Sequence, residues 1–169
     1  MKKIHGRNVT KGLLFIYLLV LTWIILFKMQ INIFDLKTEY RNINLIPFQG
    51  SVIKNGKIDL TEIILNVIAF IPFGVYISMI KENWNFIQKV LPVFFTSFLY
   101  ETIQYIFAIG ASDITDLLGN TLGGLIGIAL FWILSKILKE NTIKIINVLA
   151  VTGTVLMILL MGILIFVNL

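Results

Sequence analysis

The chain has 169 residues, of which 58% are hydrophobic and only 14% charged, and its mean hydropathy is +0.94. Soluble domains carry about a quarter charged residues, so composition excludes an ordinary water-soluble fold and points to lipid as the solvent. With no cysteine, disulfides, thiolate catalysis and cysteine-based metal sites are all excluded. The formal charge of +5 does not indicate nucleic acid, because the lysines and arginines fall between apolar runs and build no basic face.

Five apolar segments, 12–27, 63–80, 90–107, 117–138 and 145–167, approach the ~20 residues that a ~30 Å hydrocarbon core requires. The expected fold is all-α: a polytopic membrane helix bundle of about five transmembrane helices, forming a single domain over 1–169. The opening stretch, MKKIHGRNVTKGLLFIYLLVLTWIILF, has the charged-then-apolar order of a signal peptide. No small-residue cleavage site follows and the apolar run is long, so a retained first helix is expected. The connection over residues 29–62 is the only long segment outside the spans. Its EYRNINLIPFQGS combines the turn former Asn44 with Leu45, Ile46, Pro47 and Phe48, which suits a loop dipping into the membrane interface. Pro72 and Pro92, inside the second and third spans, are expected kink points.

Orientation follows from the basic residues, which resist translocation when they flank spans. Lys2, Lys3, Arg7 and Lys11 precede the first span, Lys81 and Lys89 bracket the second connection, and Lys136, Lys139 and Lys144 mark the fourth. These three groups belong on one side, whereas the short connection over 108–116 has no basic residue. A cytoplasmic N-terminus and an extracellular C-terminus are expected.

The third connection and its flanks read LYETIQYIFAIGASDITDLLGNTLGG, a concentration of polar residues at odds with the rest of the chain. At a helix rise of ~1.5 Å per residue, Glu101 falls roughly 9 Å below the outer boundary, with Gln104 one turn above it on the same face. Asn66 reaches a comparable level in the second span. Asp113 and Asp116 mark the entry to the fourth, and Asn120 follows Asp116 at i+4. A charge facing lipid costs at least ~2.5–3.5 kcal/mol. Glu101 is therefore expected to face inward, be protonated, or pair with a cation, with Arg41 preferred and Lys54 or Lys57 as substitutes. Structural roles compete for the others: Asp113 or Ser112 as a helix cap, Asp116 at the positive end of the helix dipole, and Asn66 and Gln104 as interhelical hydrogen-bonding residues. Gly119, Gly123 and Gly127 form a ridge of small residues suited to close helix packing. The sole histidine, His5, has no triad partners, so no hydrolase or zinc-protease constellation exists, and neither metal nor cofactor is expected.

Four stretches, RNINLIPF (41–48), LNVIAFIPFG (65–74), SFLYETIQ (97–104) and SDITDLLGNTLGGLIG (112–127), give this chain a resemblance to the VanZ-like family of bacterial membrane proteins. They cover most of residues 41–127 in order. Carried over by position, the resemblance implies that Arg41, Asn66, Glu101, Gln104, Asp113, Asp116 and Asn120 are the family's polar signature. Many members place an arginine shortly before the first aspartate, where this chain reads Gly110-Ala111-Ser112, and that leaves Arg41 as the expected cation. The resemblance further implies a cell-envelope role contributing to resistance to teicoplanin, a lipoglycopeptide that binds cell-wall precursors at the outer membrane surface.

The expected function is engagement of an amphiphile, a lipid-linked wall precursor or an acylated antibiotic by an outer-leaflet polar pocket walled by Phe48, Phe70, Phe73 and Tyr100. Membrane lipids are the other expected partner. Alternatives are an intramembrane acid/base enzyme with Glu101 as catalytic residue, which modifies an envelope lipid, and a proton- or ion-coupled transporter. A purely structural helix-packing protein is the remaining possibility.

Overall fold

The computed structural model describes residues 2–27, 43–48, 53–54, 57–58, 60–109 and 112–168. Five helices dominate: α1 (Lys2–Phe27), α2 (Thr61–Ile80), α3 (Phe86–Phe107), α4 (Ile114–Leu138) and α5 (Thr142–Asn168), with a 3-10 turn at Lys139–Asn141 between the last two. Four two-residue strands, β1 (Ile43–Asn44), β2 (Ile53–Lys54), β3 (Lys57–Ile58) and β4 (Ser112–Asp113), complete the described elements. All five expected segments are helical. Four helical runs among the described residues are long and apolar enough to cross a membrane, and the last of these, Ile114–Leu160, passes through α4, the 3-10 turn and into α5. Large apolar side chains such as Phe15, Leu65, Phe95, Leu122, Ile133 and Leu149 cover the outside of the bundle. Such a surface is stable against lipid and not against water.

The interhelical contacts fix the direction of every helix. From its start to its end, α1 meets Glu82 through Arg7 (2.8 Å), the Ala69 carbonyl through Tyr17, Tyr100 through Thr22 (2.9 Å) and Gln104 through the Ile25 carbonyl (3.1 Å). It therefore runs antiparallel to α2 and parallel to α3. Gly119, Gly123 and Gly127 of α4 lie successively against Ile63, Val67 and Ile71 of α2, so those two helices run parallel. Gly6 lies beside Ile143, and the Asn147 amide reaches both the Gly6 carbonyl (2.9 Å) and the Thr10 hydroxyl (2.9 Å), so α5 starts beside α1 and climbs with it. The chain alternates direction from helix to helix. The starts of α1 and α5 and the α2–α3 turn gather at one end, as the basic residues implied.

Without a hydrophobic driving force in lipid, helix association depends on close packing and hydrogen bonds. The α2–α4 seam is the most extensive of these contacts. A methyl added at Gly123 would overlap the Val67 carbonyl, one at Gly127 the Ile71 carbonyl, and one at Gly74 the Gly124 carbonyl. At Gly123 and Gly127 the glycine ridge is thus a backbone-to-backbone contact in which no side chain fits, whereas Gly119 leaves room for a methyl. Around it, Leu21, Phe70, Phe73, Val93 and Tyr100 form one core cluster, and Leu13, Tyr76, Met79 and Phe131 a second. Local signals set the helix ends: Asn85 and Gln88 exchange bonds of 2.9 and 3.0 Å in a capping box at the start of α3, and Ala108 ends it in the left-handed conformation (φ 54°). Helix continues on both sides of Pro72 and Pro92.

Replacing Gly123 or Gly127 by alanine should lower unfolding stability in mixed micelles by ~1–3 kcal/mol, because the neighbouring backbone must move. Gly153→Ala, whose added methyl meets nothing, should change it by no more than ~1 kcal/mol, in the stabilising direction. Equal effects at the three positions would contradict the seam.

Candidate functional site

The polar residues gather where α3 ends and α4 begins. Ser97 and Glu101 stand one turn apart on α3, and Asp116 and Asn120 one turn apart on the antiparallel α4, giving two facing pairs. In the inner pair, the Asn120 amide donates to the Ser97 hydroxyl at 2.9 Å, with both side chains fully buried. In the outer pair, Glu101 is 6% exposed and its Oε2 accepts the Asp113 N–H at 2.9 Å. The Ser112 hydroxyl also donates to Glu101, and the charge of Asp116 bears on it. Glu101 faces inward, as expected. Its donors here are a backbone N–H and a hydroxyl at the α4 N-terminus, where the helix dipole favours negative charge.

Asp113 caps α4: Oδ1 accepts the Thr115 N–H at 2.8 Å, while Oδ2 accepts from the Asn44 side-chain amide at 3.1 Å. Through that second bond the long first connection is drawn onto the α3–α4 turn. There β1 pairs in parallel with β4, Ile43 opposite Ser112 and Asn44 opposite Asp113. The Asn44 side chain also folds its own loop by accepting the Ile46 N–H at 3.2 Å. Phe48, at φ 65°, donates its N–H to the Thr115 hydroxyl at 3.0 Å. The loop thereby leaves Leu45, Ile46 and Phe48 exposed beside the polar turn, apolar groups at the end of a membrane bundle.

The remaining expected residues divide. Gln104 is buried and donates to the Ile25 carbonyl, so its amide joins α3 to α1 in the interhelical role foreseen for it. Asn66 is half-buried in the α2–α4 seam, where a Cβ added at Gly119 would lie 3.7 Å from its own. Arg41 lies outside the described residues, and Lys54 and Lys57 are described by backbone alone. Three of the four expected pocket walls, Phe70, Phe73 and Tyr100, are instead buried together in the core cluster, their rings packed between α1, α2 and α3. Among the described residues there is no cluster of three or more side chains suited to a metal ion. Ser97, Thr115 and Asn44 belong to the site and were missed as members. Ser97 had a signal, since it sits four residues before Glu101 as Asn120 sits four after Asp116. Thr115 had none, its role arising only from the approach of the loop.

A double-mutant cycle of Ser97→Ala and Asn120→Ala, followed by unfolding in mixed micelles, should give a coupling of ~0.5–1.5 kcal/mol, the range for hydrogen bonds between membrane helices. Additive effects would mean that the inner pair is not formed.

The VanZ/LLP1 family profile matches residues 14–137, a range that includes every described residue of this site. Protein VanZ of Enterococcus faecium is 38% identical over 157 residues, covering 92% of this chain and 92% of its own. No solved structure matches. With most of its length matched and its helices apolar along their membrane-spanning runs, the chain belongs to the VanZ/LLP1 family and is a multi-pass protein of the cell membrane.

Proposed function

We propose that the protein is a cell-envelope component that contributes to lipoglycopeptide (teicoplanin) resistance by engaging an amphiphilic or lipid-linked ligand at the α3–α4 turn. The observation that carries this reading is the juxtaposition of the hydrogen-bonded Glu101–Asp113–Asn44 group with the exposed Leu45, Ile46 and Phe48. A headgroup with hydrogen-bonding groups meets the first, and an acyl or isoprenoid chain lies on the second. The ligand rests on the loop and turn at the membrane boundary, not between the core aromatics, which are already packed. The expected extracellular placement of this turn puts it where lipid-linked precursors and lipoglycopeptides meet.

A second reading rests on the three carboxylates of Glu101, Asp113 and Asp116, in which the charges of the two aspartates bear on Glu101. Such a group suits acid/base chemistry on an envelope lipid. It predicts a new or depleted lipid species in mass spectra of cells expressing the protein, and unchanged lipids would reject it.

In a susceptible host expressing the protein, Glu101→Gln and Asn44→Ala should return teicoplanin susceptibility to that of the empty vector at equal protein level in the membrane. A Gly153→Ala control should retain full resistance. Susceptibility unchanged by both site variants would overturn the proposal.

A further inference from the structure

A cleft of about 890 Å³ lies at the opposite end of the bundle, between the α2–α3 turn, the start of α3, the last turns of α4 and the 3-10 turn leading into α5. It has no part in the Glu101 site. Its walls are apolar and aromatic, with Phe86, Ile128, Phe131, Trp132 and Ile143 contributing, while Lys89, Lys139, Glu82 and Glu140 supply the charged groups. Phe86 and Trp132 are largely exposed on the outer surface, so this cleft is open towards the acyl chains. Its size is that of a site for a substantial ligand and far exceeds what a lone ion fills.

The charges around it are unequal. Glu82 is held at 2.8 Å by Arg7, and the Lys89 ammonium is drawn to the Glu82 carbonyl at 3.4 Å. Lys136 stacks 3.7 Å over the Trp132 ring, adding a further cation at the aromatic wall. Lys89 and Lys139 line the cleft with Glu82 and Glu140. Arg7, outside the lining, offsets Glu82, and Lys136 stands beside the Trp132 wall, so that in and around the cleft four cations exceed two carboxylates by two. Lys139 holds φ 49° at the break after α4, and this left-handed turn carries the chain from α4 to the start of α5 against α1. An apolar cleft open to the bilayer, with lysines beside it at the membrane boundary, complements an amphiphile with a negative head. A cationic or zwitterionic lipid gains nothing from the surplus.

We propose that this cleft binds an anionic phospholipid of the leaflet at the basic end, its phosphodiester held by Lys89 and Lys139 and an acyl chain laid along Phe86, Ile128 and Trp132. The site would couple the α2–α3 turn to the α4–α5 connection, which otherwise touch the same space from two sides.

The test uses the full chain with Trp23→Phe and Trp84→Phe, so that Trp132 is the single reporter, reconstituted in phosphatidylcholine bilayers. A small fraction of brominated phosphatidylglycerol should quench Trp132 more strongly than the same fraction of brominated phosphatidylcholine. The preference should fall by about fivefold for each cleft lysine removed, in Lys89→Gln and Lys89→Gln/Lys139→Gln. Lys89→Arg/Lys139→Arg should keep it, as should Lys11→Gln/Lys144→Gln, which removes equal charge at the same end outside the cleft. Added inorganic phosphate should not compete. Equal quenching by the two lipids would overturn the proposal, as would equal loss in the two double glutamine variants, since the attraction would then be diffuse.

Discussion

A carboxylate brought below the membrane boundary must find donors, or the bundle that contains it does not form. Glu101 finds them at the start of the next helix, in the Asp113 N–H and the Ser112 hydroxyl. This one requirement places the α3–α4 turn over the end of α3, and the turn then offers β4 and the second Asp113 oxygen to the loop carrying Asn44. The end of α3, the start of α4 and a loop distant in sequence are joined by a group that could not remain there without them. Such a site is costly to build and costly to disturb: removing one partner strands the others in a medium that supplies no water.

The glycine seam makes that arrangement possible. Because α2 and α4 meet backbone to backbone, α4 lies deep enough for Asn120 to reach Ser97 across α3 and for Asp113 to arrive above Glu101. At the other end a smaller polar contact, Thr10 and Asn147 with the Gly6 carbonyl, holds α5 beside α1. Interhelical hydrogen bonds thus secure both ends of the bundle, and the Phe70, Phe73, Val93 and Tyr100 cluster packs between them. Function is expected at these ends because polar groups there meet the membrane boundary.

Much of the fold was legible in the sequence because lipid leaves so few solutions. Apolar runs of sufficient length must be helices, and Gly119, Gly123 and Gly127 at four-residue spacing declare a close contact, though not that α2 would be the partner. Glu101 could be read as inward-facing from its position alone. Its backbone donor could not, because every sequence contains N–H groups and only the fold aims one, here that of Asp113, at the carboxylate. Phe70 and Phe73 misled for a related reason. An aromatic ring in a membrane helix serves a wall or a core equally well, and the choice depends on whether neighbouring helices, here α1, fill the space. Asn44 could not be paired with Asp113 from sequence, nor Phe48 with Thr115, since both contacts depend on the path of a loop with no periodic signal.

The central claim is that the loop strand sits on the acidic turn because Glu101 anchors that turn. The cysteine-free chain allows a direct measurement: Ile43→Cys and Ser112→Cys, partners in the β1–β4 register, should form a disulfide rapidly on mild oxidation in native membranes, since the Asp113 N–H still holds Glu101 after the Ser112 hydroxyl is replaced. The same pair with Glu101→Leu added should cross-link slowly or not at all. Failure of the first pair to cross-link, or cross-linking at an undiminished rate after loss of the carboxylate, would contradict the account.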